Sequence, residues 1–282
     1  MKGNLLKLFT LAMVAVCCFT AGCGSSGGTK PRAKELSGTI AANGSTSMEK
    51  VIGILSESFM SKHKAVKITY DATGSGTGIE AAAAGRCDIG LSSRDLKDKE
   101  KVMGLKSQTL ARDGIAIIVN NEAKIKDLTL QQVSDIFAGK ITDWKSIDGR
   151  SGVFACIGRE AASGTRDGFE SITKTKGKCK LTQELTSTGA VIEAVKNNPN
   201  AIGYASFAAI NVRSGVKVLT VEGVSCTPEN IANGSYKVQR PFNLIMAEGK
   251  ELSPQSKAFV EFMFSAEAAD LIKKAGAVPL VK

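Results

Sequence analysis

The chain has 282 residues, 43% of them hydrophobic and 23% charged, with a formal net charge of +10. That length supports one large domain or two smaller ones without metal or disulfide staples, and the composition excludes a mostly disordered chain and a polytopic membrane protein. Aromatic residues are only 5% and His63 is the single histidine, which argues against nucleic-acid binding by base stacking, histidine-rich metal sites and most catalytic triads.

The chain opens on an export signal, residues 1–22. Lys2 and Lys7 make a positive start, residues 8–19 are apolar but for Thr10, and Thr20-Ala21-Gly22 precede Cys23. This is the pattern of a secretory signal peptide. The apolar run falls short of the roughly 20 residues that a spanning helix needs. The small residues ending in Gly-Cys resemble the lipobox of bacterial lipoproteins, with Thr20 where a larger aliphatic residue is usual. The resemblance implies cleavage before Cys23 and a palmitate-bearing lipid anchor on it. Residues 23–35 then form a tether, Gly/Ser-rich and further on basic, flexible by composition and suited to an anionic membrane surface.

Beyond the tether, strands alternate with helices. Residues 38–42 read as a strand ending in the turn Asn43-Gly44. Ser45 or Thr46 caps a helix to about His63, with Met48, Val51, Ile52, Leu55 and Phe59 at spacings of three and four. Residues 66–70 alternate as a strand, and 73–78 form a Gly/Ser/Thr loop before an Ala-rich, close-packing helix at 79–84. Buried strands follow at 88–91 and 115–119, then a helix at 130–137 capped by Thr129, and a strand at 153–157. Ser163 opens a helix to about Ile172, residues 187–196 are helical, 201–204 extended, and 254–264 and 266–275 helical. The charge run 97–101 reads as a solvated face. His63, between two lysines, reads as a solvated helix end, and Trp144 as packing a loop against its own lobe.

Such alternation predicts an α/β fold with helices on largely parallel sheets. Segments 111–119 and 241–247 are extended and apolar, and suit crossings between two lobes. The lobes are then discontinuous: residues 36–113 with 243–282 in the first, 114–242 in the second. Cys17 and Cys18 leave with the signal. Cys87, Cys156, Cys179 and Cys226 remain, and the sequence does not choose among their pairings. A core of this size depends on none of them. No CxxC pair occurs, which speaks against zinc or a thioredoxin-like site.

Three loops share one composition: Gly44-Ser45-Thr46-Ser47, Gly74-Ser75-Gly76-Thr77-Gly78, and Arg159 followed by Ser163-Gly164-Thr165. Each precedes a helix, whose first N–H groups lack partners and whose dipole favours an anion. Glycine admits close backbone approach, hydroxyls are directional donors, and Arg159 offers a cationic fork. One Ser or Thr before a helix is usually only a cap. Three such loops, one beside an arginine, point to a dehydrated pocket for a small tetrahedral oxyanion. No Walker A run occurs, GSGTG lacks the third glycine of a dinucleotide fingerprint, and the GxSxG match at 24–28 lies in the tether.

The stretches GSTSMEKV, GSGTGIEAAAAGRCDIGLSSRDL, DGIAIIVN, LTLQQVSDIFAGKITDWKSIDG, GREAASGTRDGFE, NPNAIGYAS and FMFSAEAADLIKKAGAVPL occur in that order. As an ordered set they resemble the phosphate-binding lipoproteins of bacterial Pst-type ABC importers, over nearly all of the chain beyond Cys23. The resemblance implies a two-lobed periplasmic-binding-protein-like fold with its ligand cleft at the hinge. It implies high-affinity binding of inorganic phosphate and delivery to an ABC permease and ATPase complex, with no catalysis and no cofactor. It also implies a monomer, lipid-anchored on the extracytoplasmic face of the cell membrane. It places the ion between Thr46, Ser47, Ser75 and Ser93 on one lobe and Arg159, Ser163, Gly164 and Thr165 on the other.

Two departures from the family's pattern bear on selectivity. Many members carry an aspartate where Ser93 stands, a carboxylate that accepts the proton of phosphate and repels sulfate. Ser93 accepts without repelling, and Asp95 is the nearest substitute. An acid is also common two residues after the arginine, where Ala161 stands, with Glu160 and Asp167 nearby. Another tetrahedral oxyanion, such as sulfate or a phosphonate, is therefore the alternative ligand. Two other classes compete: a phosphohydrolase, opposed by the lone histidine and the lack of clustered acids, and a surface adhesin or sensor.

Overall fold

A computed structural model describes residues 35–280. The signal segment, Cys23 and the tether up to residue 34 lie outside the described residues.

The chain begins with β1 (Gly38–Gly44), α1 (Glu49–Lys62) and β2 (Val66–Ala72), the two strands pairing in parallel. The apolar stripe of α1 buries Val51, Ile52, Leu55 and Phe59, as the spacing predicts. Next, α2 (Ser75–Ala83) leads to β3 (Ile89–Ser92), parallel to the other edge of β1. The short α3 (Asp98–Lys101) precedes β4 (Leu105–Asn120). Then come β5 (Asp127–Leu128), α4 (Leu130–Phe137), α5 (Lys145–Asp148) and β6 (Ala155–Arg159). They are followed by α6 (Gly164–Ile172), β7 (Gln183–Leu185), α7 (Thr188–Lys196) and β8 (Ala201–Ser206). β7 and β8 flank β6 in parallel. After β9 (Val216–Val218), β10 (Thr220–Val221) and α8 (Pro228–Ala232), β11 (Gln239–Ala247) runs back. The chain closes with α9 (Pro254–Met263), α10 (Ala266–Lys274) and β12 (Val278–Pro279).

The main sheet has the order β2-β1-β3-β11-β4-β8-β6-β7. Parallel pairing holds at both ends of that order, whereas β4 and β11 pair antiparallel with each other and with their neighbours. These two strands are the crossings. β4 gives Leu110 and Ala111 to a core with Ile40, Leu55, Phe59, Phe242 and Phe259, and gives Ile115 to Val119 to another with Phe137, Trp144, Phe169 and Tyr204. The change of core between Ala111 and Ile115 is what makes two lobes from one sheet. The C-terminal helices return to the first lobe, where Phe59 lies 5.1 Å from Phe259 and 5.6 Å from Phe262.

The structure differs from the sequence reading in a few places, each with a local cause. α1 begins at Glu49 with Met48 as its N-cap and no side-chain cap, because Ser45, Thr46 and Ser47 are turned to other partners. The loop expected at 73–78 is helical from Ser75, since Gly74 takes the left-handed φ of +103° that lets the helix start early. The strand expected at 153–157 is β6, shifted toward Arg159. Val153 makes only an isolated bridge to Asp143 and is 68% exposed. The charge run 97–101 is not wholly solvated: Glu100 is buried against the buried Arg94, which needs a counter-charge. Trp144 packs as expected, its indole N–H donating to Asn200 O and its ring 4.1 Å from Phe154. His63 is half-buried against Phe59 rather than fully solvated. Cys87, Cys156, Cys179 and Cys226 are all free thiols. Burial raises each of them above the ordinary thiol value, Cys87 and Cys179 to about 11 and Cys156 to about 12, which disfavours the reactive thiolate.

Candidate functional site

Four helix N-termini meet in the cleft between the lobes. The loop before α1 folds sharply at Gly44, whose φ is +143° and where a Cβ would lie 2.1 Å from Leu91 O. The amide of Ser45 donates to that same carbonyl oxygen. This tight turn presents Ser45, Thr46 and Ser47 to the cleft, and all three are buried. The Ser45 hydroxyl donates to Ser93 Oγ at 2.8 Å, and Ser75 Oγ lies 3.1 Å from Ser93 Oγ. Ser75, the first residue of α2, also accepts from the Ser93 amide. Ser93 follows the end of β3, so the strand end and two helix starts form one hydroxyl cluster.

The second lobe supplies the facing half. Ser163 caps α6 by accepting from Arg166 N, which leaves Gly164 and Thr165 at the cleft. Ser187 caps α7 in the same way, which leaves Thr188 there. Arg159, at the end of β6, is 2% exposed, and its guanidinium is held from several sides. It donates to Glu160, to the carbonyls of Leu185 and Thr186, and to Thr188 Oγ1 at 3.3 Å. Its amide donates to the Tyr204 hydroxyl, which burial keeps well above the ordinary phenol value and therefore protonated.

The two halves are closed on one another. Thr46 and Thr188 hydroxyls are 3.0 Å apart, Ser47 and Thr165 hydroxyls 2.8 Å, and Ser47 and Thr188 hydroxyls 3.1 Å. The Gly76 amide donates to Ala162 O, and Lys97 pairs with Asp167 at the rim. Gly164 meets the first lobe so closely that a Cβ on it would lie 2.5 Å from Ser75 Oγ and 2.6 Å from Ser93 Oγ. At the mouth, a cleft of about 270 Å³ is lined by Thr46, Glu49, Lys50, Thr188 and Gly189 among others.

A second arginine reaches the same place from the crossing strands. Arg240 on β11 stands directly across from Asp113 on β4, and both are buried. Arg240 Nη2 donates to Asp113 Oδ2 at 3.0 Å and Nη1 to Thr165 Oγ1 at 2.8 Å. Burial raises the Asp113 carboxyl above its ordinary value against the pull of Arg240, and lowers Arg240 below the ordinary guanidinium value.

Of the residues expected in the site, Thr46, Ser47, Ser75, Ser93, Arg159, Gly164 and Thr165 lie together, with the Ser163 hydroxyl spent on its cap. Asp95 does not join them: it is exposed, accepts from Asn243 and lines a pocket beside the crossing strands. Thr188 was missed, although Thr186-Ser187-Thr188-Gly189 repeats the Ser/Thr/Gly composition before a helix. Arg240 and Asp113 were also missed, and no local pattern marks them. Among the described residues no group of His, Cys, Asp and Glu has the makings of a metal site.

Two lobes on two crossing strands, with polar helix starts facing a buried cleft, define a solute-binding protein of the periplasmic type. The model of the PBP superfamily domain matches residues 29–267. The phosphate-binding protein PstS of Bacillus subtilis is 30% identical over 247 residues, 84% of this chain and 82% of that protein. The chain belongs to the PBP superfamily and, within it, to the family of PstS phosphate-binding proteins. Among solved structures, a putative phosphate ABC transporter substrate-binding protein with bound phosphate from Clostridium perfringens is 38% identical, with a TM-score of 0.83 over 86% of this chain and 100% of that one. An ABC-type phosphate transport receptor from Vibrio cholerae is 31% identical, with a TM-score of 0.69 over the same shares. PstS proteins are binding proteins, not a class of enzyme.

Proposed function

We propose that this chain binds inorganic phosphate between its lobes and delivers it to an ABC-type phosphate permease. The observation that carries this reading is the meeting of hydroxyls, helix N-termini and a buried arginine across the cleft, in a chain so similar to a phosphate-bound transporter component. There the hydroxyls bond chiefly to one another. A tetrahedral oxyanion exchanges those neutral bonds for charge-assisted ones, which are roughly twice as strong. The N-termini of α1, α2, α6 and α7 meet at the same place, and a helix start favours an anion. Removal of the ion from water strengthens each of these interactions. The residues that hold it are Thr46, Ser47, Ser75, Ser93, Arg159, Gly164 and Thr165, joined by Thr188, with Ser163 capping the helix start that carries Gly164 and Thr165.

Because the ligands come from both lobes, the ion favours the closed form by its differential affinity for it. The hinge lies in β4 and β11, dividing residues 36–113 with 243–282 from residues 114–242. Cleavage before Cys23 and lipidation there tether a monomer to the outer face of the cell membrane, within reach of the permease.

The test is calorimetric titration of residues 30–282, stripped of ligand, with phosphate and with sulfate in parallel. One-to-one phosphate binding with sulfate silent is the expected result. Equal binding of both ions widens the ligand class to tetrahedral oxyanions, and no binding of either overturns the reading.

A further inference from the structure

We propose that Arg240 is a second guanidinium ligand of the anion, delivered by the hinge itself, and that Asp113 is the positioning residue that aims it. This rests on the phosphate reading above. The geometry is a continuous chain of contacts across the cleft. Arg159 Nη1 donates to Thr188 Oγ1, Thr188 bonds to Ser47, Ser47 to Thr165, and Arg240 Nη1 donates to Thr165 Oγ1. A guanidinium thus stands at each end of a row of three hydroxyls. A divalent oxyanion seated on that row meets positive charge from two sides.

The two ends are built differently. Arg159 is backed by Glu160, whose side chain is 26% exposed, and by backbone carbonyls. Arg240 is backed by Asp113, which is fully buried and fixed from behind by the Ala208 amide on its other oxygen. Asp113 and Arg240 are cross-strand partners where the two crossing strands pair. Their positions are therefore set by sheet hydrogen bonds rather than by a loop. The fork is not used up by its partner: Nη2 holds Asp113 while Nη1 turns to Thr165, with Ser93 O also within 3.4 Å. Arg240 Nε has no partner among the described residues. An ion pair kept for stability alone has little reason to stand here, since a buried pair roughly breaks even against apolar residues. A cation whose free edge faces an anion site does have one.

Removing Arg240 alone strands Asp113, so the test removes both charges together, Arg240→Gln with Asp113→Asn. The mature protein and this double variant are titrated with inorganic phosphate and melted without ligand. The expected result is a loss of phosphate affinity of roughly 100-fold or more, with the ligand-free melting temperature nearly unchanged. A purely structural pair predicts the opposite: a changed melting temperature and affinity within about threefold, inside the scatter of additive distant changes. That outcome overturns the proposal. A crystal structure of the wild-type protein with phosphate decides the matter if the variant does not fold. Arg240 Nη1 within hydrogen-bond distance of a phosphate oxygen supports the proposal, and Thr165 still interposed between them overturns it. Failure of the wild-type chain to bind phosphate at all sinks the functional reading instead, which separates the two failures.

Discussion

Gly164 has no room for a side chain, and the atoms that crowd it belong to the opposite lobe. Ser75 Oγ and Ser93 Oγ would lie 2.5 Å and 2.6 Å from its Cβ. Parting of the lobes, as the proposed closure on the ion requires, releases that contact, so a methyl group there penalises closure rather than folding. Overpacking of this kind costs about 1–3 kcal/mol. For Gly164→Ala we expect phosphate affinity to fall roughly 5- to 150-fold, with the ligand-free melting temperature unchanged. Titration and a thermal melt measure both quantities. An unchanged affinity would falsify the closed geometry at this residue. Ser93 raises a chemical question at the same scale. No carboxylate stands in its place, and Asp95 is turned away toward Asn243, so sulfate silence in the parallel titration would have to come from hydroxyl and backbone oxygens.

At the scale of elements, the cleft is made from helix starts, and these divide into two kinds. α6 and α7 carry side-chain caps from Ser163 and Ser187. α1 and α2 carry none, although serines and threonines crowd their N-termini. The hydroxyls of Ser47 and Ser75 are thus free to face the cleft, where they bond to Thr165 and Ser93. Paired substitutions separate the two uses. Ser163→Ala removes a cap worth about 1 kcal/mol, and lowers the melting temperature by roughly 2–4 °C. Ser47→Ala removes no cap and leaves the melting temperature alone. It takes away one bond to the ion and weakens phosphate binding roughly tenfold or more. If Ser47→Ala destabilises the ligand-free chain as much as Ser163→Ala does, this division of labour is wrong.

For the whole molecule, the binding cycle needs a hinge that bends without unfolding either lobe. In the proposed hinge β4 meets that need, since it gives residues to both cores, and β11 pairs along it. The register shift between Phe242 and Asn243 marks where the pairing of β11 with β4 becomes irregular. The lipidation proposed at Cys23 predicts the protein in the membrane fraction of cells and Cys23→Ser in the soluble fraction, since a short basic segment alone binds membranes weakly. Retention of the Cys23→Ser variant in membranes would show that another anchor holds it.

Local information sufficed for a good part of this protein. The helix at 130–137 with its Thr129 cap, the stripe of α1, the start of α6 at Ser163 and the alternation of strands and helices are all written in short-range patterns. The Ser/Thr/Gly loops were legible as a candidate oxyanion site for the same reason, since a helix start needs only its own few residues to present N–H groups and hydroxyls. Other features waited for the tertiary structure. Whether a serine caps a helix or faces a ligand depends on what stands opposite, as Ser45 to Ser47 show by leaving α1 uncapped. Thr188 joins Thr46 across 142 residues, and Arg240 reaches Thr165 across 75 and Asp113 across 127. Such partners share no helix or turn. They meet because two strands cross between the lobes, and only the packing of those lobes decides which charges and hydroxyls come face to face.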